Sequence, residues 1–266
     1  MPISMSNVDF KRIKQVVKHP AFSIFVLLLL AILAYGLYVP WMGFYWDDWP
    51  WIWVSHILGP AGVLKIDAIH RPLSGEVLYL GSILFGTNPL GWQIYTLILR
   101  FLGALSLNWF LRTLWPENEQ KTILVSLLFL LYPGFGQQFV SVNNSRHLFP
   151  LITFFLSLGF MVRANRKSKS FWVYSGLSLV LSTLTMLTTE YYYGLELIRP
   201  VVLGIVFYRQ IENLWNLLVK VLKKWVPYFV FLSGVFAWRY SVATIQKVNY
   251  SITIFDSLFS SSQNTI

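Results

Sequence analysis

The chain has 266 residues, of which 56% are hydrophobic and only 12% charged, and its mean hydropathy is +0.57. A soluble globular domain carries about a quarter charged residues, so half that share, set among long apolar runs, excludes an ordinary soluble fold and indicates an all-α polytopic membrane protein. The net charge of +10 lies in short clusters between apolar runs, which membrane topology explains better than nucleic-acid binding, and the lack of cysteine excludes a disulfide framework, a thiolate metal site and a cysteine nucleophile.

Residues 1–19 form a basic N-terminus with Lys11, Arg12, Lys14 and Lys18. The uncharged run Pro20–Val39 that follows is long enough to cross a hydrocarbon core of about 30 Å at ~1.5 Å per residue. A cleaved signal peptide is the alternative, but the run is long for one and lacks a clear small-x-small site, so it is read as an uncleaved first span. The long segment 40–88 comes next. It opens with "FYWDDWPWIW", Phe44 to Trp53, and its apolar parts "WPWIWVSHILGPAGVL" and "LSGEVLYLGSILFG" are too short to span, reading as helices lying in the interface. Six further spans are predicted at Pro89–Leu111, Thr122–Val140, Leu148–Val162, Phe171–Thr189, Tyr191–Tyr208 and Trp225–Trp238, the fourth and seventh of the set being short enough to need extension or a deep seat in the bundle. Residues 20–240 then make about seven transmembrane helices, and 241–266 an outer tail that reads as a truncated remainder.

With the N-terminus cytoplasmic, fourteen Lys and Arg fall in inner segments and five in outer ones, as the positive-inside rule requires. On the outer side this topology collects Asp47, Asp48, His70, Arg71, Arg146, His147 and Glu190. A transport path would spread ionisable groups through the membrane depth, whereas convergence at one leaflet favours a site that accepts something from the lipid. Each signal also has a plain explanation. Asp47-Asp48 marks a helix end in an aromatic belt equally well, and adjacent residues do not face one another across a bond. His70-Arg71 reads as a headgroup anchor, and Arg146-His147 as a helix terminus or a phosphate clamp. Arg100, in mid-span, must face the bundle interior. Glu196 and Arg199, three apart, are expected to form an ion pair. No P-loop, GxGxxG, HExxH or GxSxG is present, and the acidic pair is not a DxD.

The order of these features resembles the GT-C-type membrane glycosyltransferases: a basic N-terminus, one span, then an acidic pair opening a long outer loop. The stretch "HRPLSGEVLYLGSILFGTNPLGWQIYTLILRFLGAL", His70 to Leu105, is similar to one common in bacterial relatives of the protein O-mannosyltransferases and aminoarabinose transferases, and "LTTEYYYGLELIRP" is similar to a family span ending in Glu. The resemblance covers most of residues 20–208. It implies a multi-pass protein of the bacterial inner membrane that transfers sugar from a polyprenyl-phosphate carrier to an acceptor hydroxyl of a glycan, lipid or protein, with inversion. It further implies that Asp47 or Asp48, with Asp47 preferred, is the general base. Arg71, Arg146 or His147 are candidates for the lipid-linked phosphate, chosen by chemistry more than by motif, and His70 and Glu190 complete the substrate-binding set. No cofactor is implied, and metal dependence stays open. A non-catalytic protein that binds or moves lipid-linked glycan is the alternative, and a purely structural subunit a third.

Overall fold

A computed structural model describes residues 19–67, 71–132, 137–166 and 168–246, without the side chains of 66, 67, 168 and 242–246. All regular structure among them is helical: α1 (Pro20–Ala31), α2 (Asp48–Leu58), α3 (Ala61–Asp67), α4 (Pro72–Phe85), α5 (Pro89–Leu114), α6 (Glu119–Leu130), α7 (Ser141–Arg166), α8 (Phe171–Thr188), α9 (Ile198–Tyr208) and α10 (Leu214–Gln246). Among the described residues, four stretches are long and apolar enough to cross a membrane: Pro20–Trp41, Pro89–Leu114, Ser141–Arg166 and Phe171–Thr188.

Local chemistry sets the helix starts. Pro20 and Pro89 each occupy the first turn, where a missing N–H costs nothing. His19 Nδ1 accepts from the Ala21 amide at 3.2 Å, and Asn88 Oδ1 from Leu90 at 3.0 Å. Helix α1 is apolar all round, yet it buries only the stripe Ser23, Leu27 and Ala31. Phe25, Leu28, Leu29, Ile32 and Leu33 are exposed, as are Leu124, Leu128, Trp172, Val180 and Val230 on other helices. Water would penalise so much apolar surface, whereas lipid does not.

The axis of the bundle is α5, which packs against α1, α6 and most extensively α7. Its buried face joins α7, α9 and α10 in a core that includes Phe110, Phe154, Leu158, Leu203 and Phe207. Two glycines leave room for tryptophan rings, Gly159 in this core and Gly81 in a second cluster around Trp92. A Cβ on Gly159 would stand 2.0 Å from the Trp109 ring, and one on Gly81 2.3 Å from Trp92. Gly159→Ala is therefore expected to cost about 1–3 kcal/mol by overpacking, read as a lowered unfolding midpoint of the purified protein followed by tryptophan fluorescence; an unchanged midpoint would show that the ring gives way freely.

Four predicted spans take a different form. Thr122–Val140 is not one helix: α6 ends at Leu130, shortly before Pro133, and Gln137–Phe139 is a 3-10 turn leading into α7. The span predicted from Tyr191 begins as a 3-10 helix, Glu190–Leu197, and becomes α-helical only as α9. The short seventh span lies inside the 33-residue α10, whose Lys220 and Lys224 rest on the rings of Phe207 and Phe171 at 4.2 and 4.1 Å. The short fourth span extends at both ends into the 26-residue α7, so Asn143, Arg146 and His147 sit on its first turns instead of in a loop. The first predicted interfacial segment is two helices, α2 and α3, parted at Gly59, whose φ of 73° suits glycine.

Inside the bundle, Arg199 and Glu196 form the expected ion pair and are buried almost completely. Arg199 donates from Nη2 to Glu196 Oε1 at 2.8 Å and to Ser157 Oγ at 3.0 Å, while its Nε meets Oε2. Its guanidinium lies 4.5 Å from the Tyr228 ring, and the Tyr228 hydroxyl reaches Ser178 Oγ at 2.8 Å. Arg100 also faces inward, donating to Gln138 Oε1 at 2.7 Å and lying 4.3 Å from the Tyr35 ring.

Candidate functional site

The acidic pair closes a tight turn. The Asp48 amide bonds the Tyr45 carbonyl at 2.9 Å, and Trp46 between them has a φ of 44°. A bulky residue in the left-handed region is strained by roughly 1–3 kcal/mol. Edge-on contacts of the Tyr45 and Trp46 rings with Phe139, at 5.5 and 5.1 Å, hold the turn in place.

The turn gives the two acids opposite surroundings. Asp48 is fully buried, and Asp47 is exposed. Asp48 Oδ1 accepts from the Asn143 amide at 2.9 Å and Oδ2 from the Tyr45 amide at 3.5 Å. The carboxylate thus sits at the N-terminus of α7, whose unsatisfied amides and dipole favour an anion. Burial nonetheless raises its pKa to about 6, because loss of water outweighs the backbone hydrogen bonds that pull the other way. The folded state therefore binds the proton more tightly than the unfolded chain, where the ordinary value is 3.8. Stability from this group falls as pH rises from about 4 to 6. In unfolding curves taken across that range, wild type should lose stability relative to Asp48→Asn; parallel curves would mean the carboxylate is better solvated than its burial indicates.

The first turns of α7 carry the next groups. Arg146 Nε donates to Asn143 Oδ1 at 2.9 Å, and its guanidinium lies 4.6 Å from the Trp51 ring of α2. His147 stacks on Tyr191 at 5.6 Å, and its carbonyl accepts from the Tyr192 hydroxyl at 2.7 Å. Beneath them a cavity of about 50 Å³, lined by Arg100, Asn144, His147 and Tyr192 among others, has room for a water or two.

Glu190 opens the 3-10 helix and ties three segments. Its carboxylate receives Arg71 Nε at 2.9 Å and Arg71 Nη2, and Arg239 from α10 at 3.1 Å. Desolvation pushes the Glu190 pKa up, but Arg71 and Arg239 together bring it to about 2, so it stays ionised at any physiological pH. The same pairing raises the Arg71 pKa. Arg71 also lies 5.3 Å from the Tyr191 ring.

Six of the seven predicted site residues therefore gather at one end of the bundle. Asp47, Arg71, Arg146 and Glu190 all lie within electrostatic range of His147, and Asp48 joins through Asn143. His70 lies outside the described residues. Sequence reasoning missed Arg239 as part of the cluster. The topology counts it among the five outer charges, and the Arg-Tyr pair that closes an apolar run is the signal available for it. Tyr191 and Trp51, the rings on which His147 and Arg146 rest, were also missed. Among the described residues no three acidic or histidine side chains group as metal ligands.

These features define an α-helical membrane protein with a polar cluster at one end of the bundle. Compared with known protein families, curated proteins and solved structures, the chain matches none.

Proposed function

We propose that the chain is an inverting glycosyltransferase, moving sugar from a polyprenyl-phosphate carrier to an acceptor hydroxyl at the outer face of the bacterial inner membrane. Its topology on this reading has seven spans and a cytoplasmic N-terminus. The observation that carries the proposal is the asymmetry of the acidic pair: Asp48 is spent on backbone amides, and Asp47 beside it is exposed and within electrostatic range of His147, as Arg71 and Arg146 also are. Asp47 is the general base and Asp48 holds the turn that presents it.

The chemistry then balances. Asp47 takes the proton of the acceptor hydroxyl, the oxygen attacks the anomeric carbon from the opposite face, and the bond to the polyprenyl phosphate breaks with its electron pair on the phosphate. The departing phosphate gains charge, which a nearby guanidinium stabilises. Arg71, bound to Glu190, and Arg146, resting on the Trp51 ring, are the guanidinium candidates for that role, with His147 beside them. His147 lies at the same end of the bundle, and exposed Trp46 and Trp49 offer stacking surface.

The test is glycan and glycolipid mass spectrometry on a deletion strain complemented with wild type, Asp47→Asn or Asp48→Asn, at matched membrane abundance. Wild type should restore a missing sugar and Asp47→Asn should not. Full restoration by both variants would reduce the acids to a helix boundary and leave a lipid-linked-glycan binder or a structural subunit.

A further inference from the structure

The first turns of α10 carry a lysine cluster at the end of the bundle away from Glu190. Asn213 starts the helix, its Oδ1 accepting from the amides of Trp215 and Asn216 at 2.8 and 3.3 Å. The segment "LWNLLVKVLKK", residues 214–224, then sorts its side chains by arc. At 3.6 residues per turn Leu214, Trp215, Leu218 and Leu222 share one side, and all four are exposed. Lys220, Lys223 and Lys224 share another, and Leu217 and Val221, buried against the bundle, lie between the two.

Water would penalise the exposed leucines and Trp215, and hydrocarbon would penalise the lysines, so the segment suits the boundary between the two. Its distance from the polar cluster agrees. Arg239, further along α10, reaches Glu190 at 3.1 Å, and Lys220 precedes it by nineteen residues. That is about 29 Å of helix, close to the ~30 Å of a hydrocarbon core. Between them the exposed side is apolar, with Val226, Phe229, Val230 and Phe236. Helical side chains tilt toward the N-terminus, so Lys223 and Lys224 reach back toward Leu214 and the headgroups. Two of the ammonium groups are also held in place: Lys220 lies 4.2 Å from the ring of Phe207 in α9, and Lys224 4.1 Å from that of Phe171 in α8. Among the described residues no carboxylate forms an ion pair with any of the three lysines, and Glu212, the one acid of the preceding link, is exposed.

We propose that Lys220, Lys223 and Lys224 bind the headgroup of an anionic phospholipid, whose acyl chains lie along Leu218, Leu222 and Val226 of the same helix. Charge complementarity selects the occupant. Ammonium groups at headgroup level each favour a lipid of net negative charge by roughly fivefold, whereas a zwitterionic headgroup brings a cation of its own to the site. The inference does not depend on the chemistry assigned to Asp47, and Asp47→Asn leaves it untouched.

The full chain, purified in detergent, is titrated with phosphatidylglycerol, with phosphatidylcholine of the same acyl chains, and with inorganic phosphate, and retained adducts are counted by native mass spectrometry. Phosphatidylglycerol should bind more tightly than phosphatidylcholine, with inorganic phosphate not retained. Lys223→Gln, at an exposed position, should weaken phosphatidylglycerol about fivefold and leave phosphatidylcholine unchanged. Adding Lys220→Gln and Lys224→Gln should abolish the preference, and the matching triple arginine variant should keep it. Lys121→Gln, at an exposed position of α6 outside the cluster, should leave the preference at its wild-type level. Equal retention of the two lipids, inorganic phosphate held as tightly as phosphatidylglycerol, a preference intact in the triple glutamine variant, or a loss in Lys121→Gln as large as in Lys223→Gln would each overturn the proposal.

Discussion

Asp47→Asn is expected to lower the turnover number for sugar transfer by ~10²–10⁴-fold, the range that proton removal by a positioned base supplies. On the proposed mechanism the Michaelis constant for donor should change little, because the carboxylate would act on the acceptor proton in the transition state and not on the bound phosphate. The unfolding midpoint should also hold, since the side chain is exposed and the turn is anchored by its neighbour. Release of polyprenyl phosphate from a total extract of lipid-linked sugars, followed over time with purified enzyme, measures this directly. Turnover within a few fold of wild type would remove Asp47 from the chemistry. Asp48→Asn separates the two roles: it alters the pH dependence of stability while leaving an exposed acid in place.

Arg199→Met is expected to destabilise the protein by about 3–5 kcal/mol, the cost of breaking a buried ion pair from one side. Arg199 is wholly buried and Glu196 is 1% exposed, so the remaining carboxylate has no route to water. Ser157 also loses its guanidinium donor. The double variant Glu196→Gln with Arg199→Met should recover much of the loss, because removing both charges also removes the desolvation cost. Thermal unfolding in detergent of the wild type, both single variants and the double variant makes the comparison. A single variant within about 1 kcal/mol of wild type would mean that the pair is solvated or replaced by a neighbour.

Hydropathy placed the long membrane helices well because lipid demands continuous apolar backbone of known length. It failed where the sequence is polar but its polar groups are satisfied. "SVNNSRH" falls between the predicted spans, yet it forms the first turns of α7: Thr96 Oγ1 donates to the Ser141 carbonyl at 2.7 Å, and Asp48 accepts from Asn143. Gln93 and Gln138 satisfy their neighbourhood in the same way, Gln93 Nε2 donating to the carbonyls of Gly43 and Phe139 at 3.1 and 2.9 Å. No periodicity encodes such long-range partners. For the site, counting residues on one side of the membrane was enough to gather Asp47, Asp48, Arg71, Arg146, His147 and Glu190. Telling Asp47 from Asp48 was not possible, because two adjacent identical residues differ only in what the fold puts beside them. Arg239 escaped because it lies 49 positions from Glu190, and only the packing of α10 brings it back.

The Glu190 junction has a consequence for how the protein is made. Arg71 and Glu190 leave the ribosome well before α10, so during synthesis the carboxylate has one arginine to hold and waits for the second. The polar end of the bundle is therefore completed by α10, after α1 to α9 have been translated. A stall or a cut in the short link between Tyr208 and Leu214 would leave Glu190 paired with Arg71 and without Arg239, so the polar end of the bundle would lack the contact that joins it to α10.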